Sequence, residues 1–81
     1  MGNASQISRY EVPFQGDAQR SALFKDMHDF MPRLESLGAV GMYSVFNGTP
    51  DYVTVNVDIL DPAMKRVLDS KVMAYAGARE I

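Results

Sequence analysis

The chain has no cysteine, no tryptophan and a single histidine, His28. Without a thiol there is no disulfide, no thiolate metal site and no cysteine nucleophile. One histidine cannot form a two-histidine metal set, or a catalytic dyad with a second histidine, within one chain. No apolar run approaches the ~20 residues of a membrane span, and no charged head followed by an apolar run marks a secretory signal. The eight Lys and Arg are scattered among ten Asp and Glu, for a net charge of −2. Nucleic-acid binding therefore lacks its usual basic footprint and is not expected. The expected setting is cytoplasmic: soluble, intracellular and off the membrane.

What is present is an ordinary globular composition, 47% hydrophobic and 22% charged over 81 residues. That is room for one core. Residues 1–6 are small and polar and read as a flexible N-terminus. Residues 7–81 read as a single α+β domain.

The strongest pattern is Tyr52 to Ile59. Val53, Val55, Val57 and Ile59 alternate with Tyr52, Thr54, Asn56 and Asp58, the period of a half-buried strand. A second strand runs from Val40 to Phe46, and the turn formers Asn47-Gly48-Thr49-Pro50-Asp51 join the two as a hairpin. A first strand spans Ile7 to Phe14, with Tyr10, Val12 and Phe14 on one side and Arg9 and Glu11 on the other. Between them, Asp17 reads as an N-cap. Leu23, Met27, Phe30, Met31 and Leu34 form a helical stripe with Phe24 and Leu37 at its edges. Pro32 interrupts this helix, which is expected to continue with a kink and end at Gly38.

Asp61-Pro62 starts a second helix. Met64, Val67, Leu68, Val72 and Tyr75 carry its stripe to Gly77, with Lys71 laying its stem along the core. The other reading stops the helix near Ser70 and makes Val72 to Ala76 a short fourth strand; the pattern favours the long helix. The expected fold is a small two-layer α+β sandwich, β-α-β-β-α, a ferredoxin-like variant with two helices on one face of an antiparallel sheet.

Few residues invite chemistry. Met27 and Met31 share a core stripe. His28 sits beside that stripe, near Phe24 and Glu35, and is the one candidate acid or base. Asp51, Asp61 and Asp69 have turn, cap and helix-pairing roles, and no cation-binding loop spacing is present. Gly38 to Gly41 lacks the lysine and spacing of a phosphate loop. No cofactor and no metal are expected. The remaining candidate is a surface: the outer sheet face, expected to present Arg9, Tyr43, Val45, Tyr52, Thr54, Asn56 and Asp58.

Leu37 to Phe46 and Asp51 to Val57, about a quarter of the chain, resemble the small dimeric α/β-barrel (ferredoxin-like) families. The resemblance implies two sheets paired across a homodimer, enclosing a small-molecule cavity, with His28 loosely matching a histidine near the end of the first helix. Three functions follow. The leading one is a non-catalytic module, a regulator, adaptor or inhibitor such as phages make, that binds a larger protein through its outer sheet face or a sheet edge. The second is a dimeric barrel that binds or transforms a small, mostly apolar molecule. The third is a structural accessory subunit.

Overall fold

The computed structural model describes residues 6–81. Of the segment expected to be flexible, residues 1–5 lie outside the described residues, and Gln6 already belongs to the first strand. The elements run β1 (Gln6–Pro13), α1 (Gly16–Ser36), β2 (Val40–Thr49), β3 (Tyr52–Ile59), α2 (Met64–Met73) and β4 (Arg79–Glu80). The four strands form one antiparallel sheet in the order β2-β3-β1-β4. This is the expected α+β sandwich, with the fourth strand present.

The core lies between the sheet and both helices. Tyr10 and Val12 of β1 and Val53, Val55, Val57 and Ile59 of β3 meet Leu23, Met27, Met31 and Leu34 of α1 and Leu68 and Val72 of α2. All are buried, so both helices cover the same face. α1 runs unbroken through Pro32. The proline cannot donate to the His28 carbonyl, but Met31 and Leu34 on either side are buried and hold the helix in phase. Gly38, at φ +72°, ends it. The amides of Gly38 and Ala39 donate to the carbonyls of Glu35 and Leu34 at 3.0 Å, the paired bonds of a Schellman motif.

Several boundaries differ from expectation. Asp17 is not the N-cap: α1 begins one residue earlier, and the Gln19 side chain instead accepts from the Gln15 amide. Leu37 is exposed, because the chain leaves the core at the C-cap. The hairpin turn is only Pro50-Asp51, since β2 continues through Asn47, Gly48 and Thr49. That continuation requires an irregular pairing between Asn47 and Thr49. A Cβ on Gly48 would fall 2.2 Å from the Thr54 hydroxyl oxygen, so the glycine is needed where the strands close.

α2 is neither of the two lengths anticipated. Asp61 caps the preceding turn, accepting from the Ala63 amide at 3.0 Å, and the helix runs only from Met64 to Met73. The fourth strand then forms at Arg79–Glu80, beyond Val72 to Ala76, after Gly77 reverses the chain at φ +77°. Val67 is partly exposed and not part of the core. Lys71 does reach out of the core: its ammonium meets Asp26 of α1 at 2.9 Å and sits over the Phe30 ring.

Candidate functional site

Side chains directly opposite one another in an antiparallel ladder share a face, so register decides what the helix-free side displays. Ser44 faces Asn56, Phe46 faces Thr54, Asn56 faces Arg9, and Thr54 faces Glu11. Ile7 stands opposite Asp58. Among the described residues, this outer face carries no helix. Its exposed apolar side chains include Ile7 (71%), Met42 (82%), Phe46 (45%) and Ile81 (57%). Ile81 joins them because its amide donates to the Arg9 carbonyl at 2.9 Å, which continues the line of β4.

The same register moves two expected contact residues to the other side. Tyr43 pairs with Val57 and Val45 with Val55, so both point toward the helices and pack against the core. The alternation of β2 offers apolar residues at both parities. Only the pairing, with its irregularity between Val40 and Tyr43, selects which set faces in. Thr54 does lie on the outer face but is 7% exposed, covered where Gly48 closes over it. Ile7, Met42, Phe46 and Ile81 were not singled out from the sequence. The available signal was Phe46 at the same parity as Met42 and Ser44.

The polar residues of the face are locked together. The Arg9 Nε donates to Asn56 Oδ1 at 2.8 Å, and Asn56 Nδ2 donates to the Ser44 hydroxyl at 3.3 Å. Arg79 holds Glu11 at 2.6 Å. The Arg79 guanidinium, and then the Tyr52 hydroxyl, keep the Glu11 carboxyl below its usual range; the same bond to Glu11 raises Tyr52.

Asp58 is the exception. Its Oδ1 is buried and finds no donor among the described residues. It borders a shallow apolar hollow of about 190 Å³, lined by Ile7, Met42, Ser44 and Asn56 among others. A buried acceptor without a partner costs ~1–3 kcal/mol until something donates to it.

The larger hollow, about 530 Å³, lies at the far end of the sheet between the start of α1 and the hairpin turn. It holds Asp17 and Arg20, which pair with each other at 3.5 Å, and Thr49, whose hydroxyl accepts from the Asp51 amide at 3.1 Å within the hairpin turn. His28 is far from the outer face. It is exposed on α1 and stacks on Phe24 with ring centroids 6.3 Å apart.

Two titratable clusters lie on the helix side, and both are structural tethers. The Tyr10 hydroxyl donates to Asp69 at 2.5 Å, and Lys65 bridges Asp69 and Glu80 at 2.9 and 2.7 Å. Burial, and then Asp69, push Tyr10 up to about 12. Burial works to raise Asp69, but the Tyr10 hydroxyl and the Lys65 ammonium outweigh it and leave its carboxyl below the usual range. In the second cluster, Tyr75 and Lys71 both donate to Asp26, lowering its carboxyl. Every group in the two clusters is already paired. Among the described residues, no three His, Asp or Glu converge on a point that could hold a metal ion.

Compared with family models, curated proteins and solved structures, the chain matches none. Among the described residues, no helix is long and apolar enough to cross a membrane.

Proposed function

We propose that this chain is a non-catalytic protein-binding module that docks a larger protein on the outer face of its sheet. The observation that carries the reading is the helix-free face itself. It displays Ile7, Met42, Phe46 and Ile81 around a hydrogen-bonded Arg9-Asn56-Ser44 row, an apolar surface with fixed polar groups. Fully burying one such apolar side chain is worth ~1.5–3 kcal/mol, so a partner covering several gains useful affinity. The hollow beside Asp58 gives that partner an anchor point for an apolar side chain. A regulator, adaptor or inhibitor needs no more than such a face.

The test is affinity capture from native cells with the wild-type chain, Phe46→Asp, Met42→Asp and His28→Ala, alongside their melting temperatures. A stoichiometric partner retained by wild type and His28→Ala and lost by both face variants, with melting unchanged, supports the reading. Equal capture by the face variants rejects it.

A further inference from the structure

The two edges of the sheet are built very differently. β4 is two residues long, and both, Arg79 and Glu80, are charged. Short, charged edges resist pairing with another chain. β2, on the opposite edge, is ten residues long: Val-Gly-Met-Tyr-Ser-Val-Phe-Asn-Gly-Thr. It contains no charged residue and no proline. Among the described residues β2 has a neighbour on one side only, so along its other side backbone N–H and C=O groups have no strand to meet. Pairing irregularities interrupt it between Val40 and Tyr43 and between Asn47 and Thr49, and irregularities of this kind can blunt an edge. Here they sit toward the ends and leave Tyr43 to Asn47 as a regular stretch.

We infer that β2 pairs antiparallel with β2 of a second copy of this chain, joining two sheets into one of eight strands about a two-fold axis at Ser44 or Val45. Backbone groups arranged along an open edge are matched by another extended strand, and side-chain chemistry selects which strand. With the axis at Ser44, Met42 meets Phe46 and Tyr43 meets Val45. With the axis at Val45, Ser44 meets Phe46 and Tyr43 meets Asn47. Either register sets apolar or neutral groups opposite one another and brings no like charges together, the arrangement a two-fold contact requires of its own sequence. The α1 side is compatible as well. Arg20 reaches from α1 to Asn47 of β2 at 3.3 Å, which turns that charge toward its own strand end. The pairing also makes the two outer faces continuous, with Met42 and Phe46 of both copies at the centre. This is an extension of the sheet in its own plane, distinct from a contact between sheet faces.

Because the chain has no cysteine, one introduced thiol reports on the contact. Ser44→Cys and Val45→Cys are to be oxidised separately, with Ser21→Cys, exposed on α1, as the collision control. Molar mass is followed by light scattering over rising concentration, on wild type and on Ser44→Lys, which places two ammonium groups at the axis. Expected results are a wild-type mass climbing toward twice the 9.0 kDa of one chain, disulfide dimer in at least one β2 variant and none in the control. Ser44→Lys should stay at the mass of one chain with cooperative melting retained. A wild-type mass of one chain throughout, cross-linking equal to that of Ser21→Cys, or an Ser44→Lys dimer as tight as wild type would overturn the pairing. Loss of partner capture in Ile81→Asp, on the outer face at the opposite edge of the sheet from β2, with the dimer intact separates this contact from the docking face.

Discussion

Tyr43 stands directly opposite Val57 in the β2–β3 ladder and shares its helix-side face. Three residues on, Phe46 stands opposite Thr54 and shares the helix-free face. Two aromatic residues of one strand thus belong to two different tasks, packing and contact.

Their substitutions should separate accordingly. Tyr43→Ala removes a ring packed against the core and is expected to cost about 1–3 kcal/mol. Phe46→Ala, at a position 45% exposed, should cost under ~1 kcal/mol while weakening partner capture. Urea unfolding of both variants checks the difference. A Phe46→Ala loss as large as that of Tyr43→Ala would place the ring in the core.

Tyr10 is fully buried, and its hydroxyl bonds to Asp69 of α2. Tyr10→Phe keeps the packing and deletes the bond, for an expected loss of about 1–2 kcal/mol. Tyr10→Ala also leaves a cavity between β1 and α2 and should lose ~3–5 kcal/mol. Chemical denaturation midpoints measure both.

Stability should fall at both ends of the pH scale. Asp26 and Asp69 have folded-state values held below their ordinary 3.8. Their contribution is therefore complete above roughly pH 5 and is lost as pH falls through the folded values. Tyr10 is raised from 10.0 to about 12. Its contribution is complete below roughly pH 9 and disappears as pH rises toward 12. A plateau between these limbs is expected in urea midpoints, with a shallower alkaline limb in Tyr10→Phe.

Gly48→Ala places a methyl group against the Thr54 side chain, which is itself nearly buried. The expected cost is about 1–3 kcal/mol. Thr54→Ser keeps the hydroxyl and so leaves most of the clash, whereas Thr54→Ala in the Gly48→Ala background removes it and should recover part of the loss. A double-mutant cycle by thermal melting reads the coupling.

Much of the architecture was legible locally. Val53, Val55, Val57 and Ile59 alternate with polar residues, and only one face can then be buried; all four are. The α1 stripe survives Pro32 because four buried side chains outweigh one lost hydrogen bond. β2 was not legible in the same way. Tyr43 and Val45 at one parity and Met42 and Phe46 at the other are both apolar enough to face inward. Ile81 gave no signal, since its place on the outer face depends on a two-residue strand meeting β1 across 68 positions of sequence, as in the Glu11–Arg79 contact.

The sequence by itself determined the element order and the inner faces of β1, β3 and α1, because those depend on periodicity within one segment. The tertiary structure decided which side of β2 faces the helices, where α2 ends, and that one sheet edge is guarded while the other is bare. Each of these depends on register between segments distant in the chain. A one-residue change of pairing would exchange Tyr43 and Val45 for Ser44 and Phe46 on the buried face.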